Sequence, residues 1–471
     1  MGKYLLAHSS ALIKQGDYLM EIMSNRSRLL NDSMKRLLRR GAYGNLKKII
    51  DKTHVADLSV TFRSLSSEQQ LKVLNMIEEK DKQGLVLSDL DADTFLDLTS
   101  RMSVESLIEI FEYIPSDDLA DLIDRLPKEV ADKVLEGMRK ENSEEVEDLL
   151  RYDNKTAGGI MVPNFYAVDA ESTAQDAITS LQKEHKDVEM PFYLYVIDEH
   201  ERLVGVCSLR QLVVTAPDTK LKDFMSVNVI SVRTDMDQEE VAKIVARYDM
   251  LAVPVVDENN RLVGIITVDD VIDIMREEAT EDILKMAGAG EEFAETKSVA
   301  RSIRIRLPWL FASWMGGIMA FFIIGQFEHA LNKLAYLAAF IPVIMGMGGN
   351  VGTQSSTIVV RGLATGRINI RDISSVVAKE LTIGLALGFF YGFLLGSVAV
   401  GIYSVVMLGF VVGMAVVSSM TIAALVGSFV PMVFARFNID PAIATGPFVT
   451  TAIDILSVYF YFQIAMILLK L

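Results

Sequence analysis

The sequence predicts a mostly α-helical membrane protein, with five transmembrane helices per chain after a cytosolic α-helical N-domain and an α/β tandem repeat. Three observations predict it: five long apolar stretches after Arg306, a charge imbalance confined to the region before them, and a strand-rich motif that occurs twice. The chain has 471 residues, is 51% apolar and carries a formal net charge of -16. From Pro308 onward seven Lys/Arg stand against five Asp/Glu, so 39 of the 46 basic and 57 of the 62 acidic residues precede it. The acidity is therefore soluble and the apolar character membranous. An acidic soluble region repels phosphate backbones and attracts cations, which argues against nucleic acid as a partner.

Residues 1–80 read as a helical extension without chemistry-bearing motifs. After Met1-Gly2-Lys3 the apolar stretch is soon broken and Leu6 spoils a myristoylation pattern, so membrane insertion is expected from the C-terminal helices. Residues 81–155 form a helical N-domain. Ile114-Pro115 followed by Leu119-Ala120-Asp121 echoes Leu126-Pro127 followed by Val130-Ala131-Asp132, which predicts short helices, each with proline in its first turn, stacked as a small solenoid. Cys207 is the single cysteine and suits a reducing cytosol.

Residues 156–275 contain the repeat. Val196-Ile197-Asp198-Glu199 with Arg202-Leu203-Val204-Gly205-Val206 returns as Val255-Val256-Asp257-Glu258 with Arg261-Leu262-Val263-Gly264-Ile265. The implied unit is a strand, a polar turn, a second strand ending near glycine, and a helix, preceded by helical patterns at Ala174–Gln182 and Gln238–Arg247. This resembles a tandem pair of cystathionine-β-synthase (CBS) domains, a pseudo-twofold module with clefts for adenine nucleotides. Gly264-Ile265-Ile266-Thr267-Val268-Asp269-Asp270 resembles its ribose-binding pattern, which implies ATP as a ligand with Thr267 and Asp270 on the ribose and Arg210 and Tyr193 as neighbours. The first repeat has Ser208 and Gln211 instead, and a strand-to-helix cap explains Thr267 equally well.

Residues 276–307 connect this module to the membrane, and Asp269 to Met286 reads as one acidic helix ending at Gly288-Ala289-Gly290. Asp270, Asp273, Glu277 and Glu281 repeat at spacings of 3, 4 and 4, with Glu278 and Asp282 alongside. Like charges at these spacings repel. A solvated face is one reading; the other is a sensor in which divalent cations bridge the stripe to Asp237, Glu239 and Asp249.

Residues 308–471 hold the apolar stretches, each near the roughly 20 residues that span a bilayer: Pro308–Phe327, Leu334–Val360, Ile373–Tyr403, Val405–Ala435 and Ala442–Leu471. Arg301, Arg304, Arg306, Arg361, Arg367, Arg371 and Arg436 lie on one side, against Lys333 and Lys470 on the other. The large N-terminal region is therefore expected in the cytoplasm, beneath a multi-pass cell (inner or plasma) membrane protein.

In the second stretch Gly346, Gly349 and Gly352 are spaced three apart, which predicts one face open to close backbone approach, and Asn350 and Gln354 stack at i and i+4. The fifth contains Gly446-Pro447, whose proline frees a carbonyl, then Thr450 and Asp454 on one face. A carboxylate at bilayer depth costs roughly 2.5 to 3.5 kcal/mol, so Asp454 must face a wet cavity, a partner or an ion. Carbonyls, a hydroxyl and a carboxylate form an all-oxygen surface suited to hydrated magnesium, and two copies on a twofold axis would present two such carboxylates to one ion. The alternative is a protonated Asp454 hydrogen-bonded within the bundle.

Gly-Gly-Asn-Val-Gly-Thr-Gln-Ser in the second span and Asp-Pro-Ala with the later Asp454 in the fifth make the chain from Asp81 to Leu471 similar to the MgtE family of magnesium channels. The resemblance implies a homodimer with one pore lined by the second and fifth spans. Asp454 would be its central aspartate, Thr450, Gly446 and Ala444 further oxygen ligands, and Asn350, Gln354 and Gly349 pore-lining. It also implies that the connecting helix is a plug closed by magnesium. Many members carry Asn where this chain has Gly446. Two other classes stay open: an ion-coupled secondary divalent-cation transporter, and a membrane-tethered CBS sensor without transport. No phosphate loop, triad or zinc spacing points to an enzyme, and His8, His54, His185, His200 and His329 are scattered. The residues do not rank magnesium against manganese, cobalt or calcium.

Overall fold

The computed structural model describes residues 28–183, 192–289 and 299–470, and the chain forms two compact units, Met1–Ile274 and Met275–Leu471. Residues 1–27 of the N-terminal extension, His8, His185 and Gly290 lie outside the described residues.

In the first unit, after helical residues 28–40, short helices run from Tyr43–Lys52 to Lys140–Leu149. Local caps keep them short. Asp91 accepts from Thr94 N at 3.0 Å, Ser103 accepts from Ser106 N at 3.3 Å, and Ser66 with Gln69 forms a capping box. Pro115 and Pro127 start the helices Ser116–Arg125 and Lys128–Gly137 from the N-cap, one position before the first turn predicted for them. A proline disfavours helical backbone in the residue before it, and Leu126 is accordingly extended, with ψ 152°. Helices pack on the next but one, Lys80–Ser88 on Val104–Phe111 and Val104–Phe111 on Lys128–Gly137, as a solenoid requires.

The repeat folds into two three-stranded sheets. In the first, β1 (Ala167–Asp169) lies parallel to β2 (Tyr193–Ile197), which pairs antiparallel with β3 (Leu203–Ser208); β4 (Val232–Arg233), β5 (Ala252–Val256) and β6 (Leu262–Thr267) reproduce this order. The two halves exchange matching hydrogen bonds, Leu203 N to Asn260 O at 3.0 Å and Leu262 N to Glu201 O at 3.1 Å, with Glu201 and Asn260 both at φ 62°. Gly205 and Gly264 lie inside β3 and β6 rather than at their ends. A Cβ at Gly264 would meet Met161 Sδ at 2.7 Å, and one at Gly205 would strike Met225 Sδ. The glycines make room for covering methionines.

The acidic helix runs Val268–Met286. Among the described residues five helices are long and apolar enough to cross a membrane: span 1 (Val299–Gln326), span 2 (Ala335–Ala364), span 3 (Ile370–Tyr403), span 4 (Val406–Arg436) and span 5 (Pro447–Leu469). The last departs from the continuous helix expected from Ala442. A short helix, Pro441–Thr445, stops at Gly446, whose φ -69°, ψ -135° lies outside the helical region, and span 5 restarts at Pro447. Pro447 offers no N–H to the preceding turn and disfavours helical geometry in Gly446, where the break falls.

Span 4 is the centre of the bundle and packs on spans 2, 3 and 5. Gly384, Gly388, Gly392 and Gly396 recur every four residues on span 3 and are buried against it. A Cβ at Gly392 would lie 2.6 Å from Gly413 O, and one at Gly396 2.6 Å from Gly409 O. The backbones touch as small-residue seams in membranes allow.

The glycines of span 2 divide differently from the expected three-residue face. Nothing lies within 4 Å of a Cβ at Gly346 or Gly349, whereas one at Gly348 would strike Ser419 Oγ and one at Gly352 would strike Ile453 Cδ1. Three residues advance a helix by about 300°, so i, i+3, i+6 drifts off any one face, while i, i+4 stays closer to it. The packing pair is Gly348 and Gly352.

Gly392→Leu is expected to cost about 1–3 kcal/mol through overpacking, read as a lower midpoint for loss of monodisperse protein on heating in detergent. Gly401→Leu, with open space around its Cβ, is the control. Equal midpoints for the two variants would contradict the seam.

Candidate ion pathway and acidic sensor

Asp454 is half-buried on span 5, and none of the ion pairs among the described residues engages it. Its orientation is set by its neighbours. Ile453, fully buried, seats in the space left by Gly348 and Gly352, and a Cβ at Gly348 would lie 3.2 Å from its Cγ2. One turn on, Ser457 Oγ and Ser419 Oγ share a 2.7 Å hydrogen bond, and Ser419 Oγ donates to Ile344 O at 3.1 Å. A turn further, Tyr461 donates to Leu337 O at 2.9 Å. Positions 453, 457 and 461 follow one face at i, i+4, so this seam fixes the rotation of the helix that carries Asp454.

Thr450 N and Thr450 Oγ1 both donate to Gly446 O, at 3.4 and 3.2 Å, and the hydroxyl also reaches Pro447 O at 3.3 Å. The Gly446 carbonyl is thus already an acceptor, whereas the carbonyl that Pro447 deprives of an N–H is that of Ile443, four residues back. Ala444 belongs to the short helix before the break. Asn350 and Gln354 are exposed on span 2, and Gly349, between them and the open side of Gly346, is half-exposed.

A second intramembrane carboxylate goes unnoticed in the sequence. Glu380 on span 3 is 5% exposed and accepts from Ser355 Oγ on span 2 at 2.8 Å. Its partner is 25 positions away, so no local pattern marks the pair. Ser419 and Ser457 escape notice for the same reason.

In the first unit, Thr267 Oγ1 and N donate to the Asp270 carboxylate, closing β6 onto the acidic helix. Burial pushes Asp270 up to about 6 against the opposing Thr267 hydrogen bond, with the charges of Asp269 and Asp118 adding to the rise. Asp118 is raised as well, by burial first, with Asp273 and Asp269 contributing against Ser88 and Arg125. Asp121 rises to about 6 through burial, with Asp118 and Asp124 adding to it against Arg125. The N-domain therefore brings Asp118 within electrostatic range of Asp269, Asp270 and Asp273, with Asp121 beside Asp118. Asp118 and Asp121 carry no signal in the sequence beyond an acidic cluster at a helix start. Mutually repelling carboxylates fit a hard cation, which would favour their ionised form.

The other predicted sensor residues have local duties. Asp237 caps Gln238–Tyr248 by accepting from Glu239 N at 2.9 Å, Glu239 pairs with Lys243 at 2.9 Å, and Asp249 ends that helix at φ 51°. Glu277, Glu278 and Asp282 lie on the acidic helix, and Glu281, 8% exposed, is bonded to Lys285. Burial opposes charge on Lys285, but hydrogen bonds to Asp440 and Glu281 outweigh it and raise its pKa. Among the described residues no group of three or more His, Cys, Asp or Glu is gathered into a preformed metal cage. Tyr193 opens β2, and Arg210 is exposed on the helix Leu209–Val214.

A helical N-domain, a CBS pair and five apolar helices with polar groups at bilayer depth define a multi-pass membrane protein of the divalent-cation transporter class. Residues 341–464 match the MgtE divalent cation transporter family, residues 53–155 the MgtE intracellular N domain, and residues 157–216 and 221–277 the CBS domain. The magnesium transporter MgtE of Thermus thermophilus is 40% identical over 326 residues, 68% of this chain and 72% of that protein. Its counterpart in Bacillus subtilis is 34% identical over 430 residues, 91% of this chain and 95% of that protein. A solved cytosolic domain of the Mg2+ channel MgtE in complex with ATP is 37% identical, covering 52% of this chain and 99% of that chain at a TM-score of 0.49. The chain belongs to the MgtE family of magnesium transporters. Its N-terminal region is intracellular, on the side where the arginines of the connections accumulate.

Cys207 is fully buried in β3, and burial pushes its thiol up to about 11. It is expected to resist maleimide at pH 7.5 in the folded chain and to react after denaturation. Rapid labelling of the folded protein would contradict this placement.

Proposed function

We propose that the protein is a magnesium-selective channel that mediates Mg2+ uptake as a homodimer. In this reading the pore runs between two copies, lined by spans 2 and 5, and cytosolic Mg2+ bound among the acidic surfaces and the connecting helix shuts it. Asp454 carries the reading: it is a half-buried carboxylate inside a membrane helix, and no basic side chain pairs with it among the described residues. Such a group needs a wet cavity, a partner or a cation. The exposed Asn350 and Gln354 support the same placement, because amides facing lipid lack hydrogen-bond partners. Magnesium suits a site with one carboxylate per copy, since it keeps most of its hydration shell.

Thr450, Gly446 and Ala444 would then act near the mouth of the pore, with Thr450 held by the Gly446 carbonyl. Mg2+ acting as regulator would neutralise the repulsion among Asp118, Asp269, Asp270 and Asp273 and so favour the compact, closed arrangement. Glu277, Glu278, Glu281 and Asp282 of the connecting helix, with Asp237, Glu239 and Asp249, complete the proposed sensor. ATP is a second proposed ligand. Thr267 and Asp270 would exchange their mutual hydrogen bond for ribose hydroxyls, with Arg210 and Tyr193 nearby in the CBS cleft.

The break at Gly446 favours one competing reading, because ion-coupled transporters build binding sites at discontinuous helices. Flux into proteoliposomes separates the two. Mg2+ influx is expected to need no proton or sodium gradient and to fall at least tenfold in Asp454→Ala; equal flux in the variant, or strict gradient dependence, would overturn the channel. Neutralising Asp249, Asp273, Glu278 and Glu281 together is expected to leave current flowing at high Mg2+, and normal Mg2+ block in that variant would remove the sensor.

A further inference from the structure

The connecting helix ends against the break in span 5, and one lysine ties the two together. Lys285 Nζ lies 2.7 Å from Asp440 Oδ2 and is also bonded to Glu281 one turn earlier. All three side chains are largely shielded: Lys285 is 24% exposed, Asp440 30% and Glu281 10%. The other oxygen of Asp440 accepts from Ala442 N at 2.8 Å and so caps the short helix Pro441–Thr445. One carboxylate therefore starts the half-helix that leads into the break and, 155 positions away in sequence, holds the end of the connecting helix.

The backbones are in contact at the same place. A Cβ at Gly446 would lie 3.6 Å from Lys285 O and 3.7 Å from both Met286 O and Gly288 N. Gly288, at φ 71°, turns the chain away beneath Pro447, whose Cδ would lie 3.4 Å from a Cβ there. The last turn of the helix is seated on the residues that interrupt span 5.

We propose that Lys285 is a resident cation that clamps the connecting helix onto Asp440, a positioning residue that holds the helix end on the broken segment of span 5 without bound metal. The proposal rests on the gated-pore reading above and deepens it. A tethered ammonium supplies part of the preference for the closed arrangement at any magnesium concentration. Bound Mg2+ then has to supply only the remainder. Removing the clamp leaves the permeation path unchanged but demands more Mg2+ to close it.

The test uses the full chain in liposomes. Lys285→Gln removes the ammonium. Asp440→Asn removes the charge while keeping an equally good cap. Lys285→Arg keeps the pair, and Lys285→Asp combined with Asp440→Lys reverses it. The Mg2+ concentration for half-closure is expected to rise about fivefold, the effect of roughly 1 kcal/mol, in the first two variants. It should return toward the parent value in the last two, with unitary conductance unchanged throughout.

A second readout needs no conduction. Nitroxides at Ile283 and Phe437, both exposed, in a Cys207→Ala background diluted with unlabelled protein, report the separation by pulsed electron paramagnetic resonance. Without Mg2+ the parent should give one narrow distance distribution, and Lys285→Gln and Asp440→Asn a broader or longer one that the reversed pair restores. Unchanged distances in both neutralised variants, or a lowered half-closing concentration because Mg2+ takes the ammonium's place, would overturn the clamp. Altered distances with no Mg2+-dependent current in any variant, the parent included, would leave the clamp standing and refute the gated pore.

Discussion

The membrane unit depends on the contact of span 2 with spans 4 and 5 at Gly348 and Gly352. Those glycines admit Ile453 and the Ser419–Ser457 hydrogen bond, and a side chain at either would collide with them. The seam sets the rotation of span 5, which in turn decides what Asp454 meets. Because every backbone polar group in a bilayer must be satisfied internally, few arrangements are open to a helix carrying both a break and a carboxylate. At the break Thr450 donates to the Gly446 carbonyl, and in the proposed reading the carboxylate serves the ion.

Charge is handled in opposite ways at the two acidic regions. Asp118, Asp269, Asp270 and Asp273 repel one another, with Arg125 the opposing charge beside Asp118, and in the proposed reading added Mg2+ relieves that repulsion. At Glu281 and Asp440 the cation is built into the chain as Lys285. In the proposed reading one cluster responds to ion concentration, and the other sets the point from which that response starts.

Much of this was legible in the sequence because it is carried by periodicity and composition. The five spans follow from runs of apolar residues, the CBS pair from a motif repeated within the chain, and the acidic helix from a 3, 4, 4 spacing. β1 and β4 were not visible because three and two residues are too few to show alternation. The face of span 2 was misjudged because i, i+3 spacing reads as a stripe in one dimension and drifts around a helix in three. Glu380 with Ser355, Asp118 with Asp273, and Lys285 with Asp440 are pairs distant in the chain, and no residue of any pair announces its partner. Asp454 stood out alone because a charge in an apolar run needs no partner to be conspicuous.

The central claim is that position 454 faces water on an axis shared by two copies. Asp454→Cys in a Cys207→Ala background tests it most directly, through modification by a charged, water-soluble methanethiosulfonate and through Cd2+ or oxidative bridging in the intact membrane. Rapid modification together with a bridged dimer is the predicted result. A thiol that reacts only with lipid-soluble reagents and never bridges would contradict it.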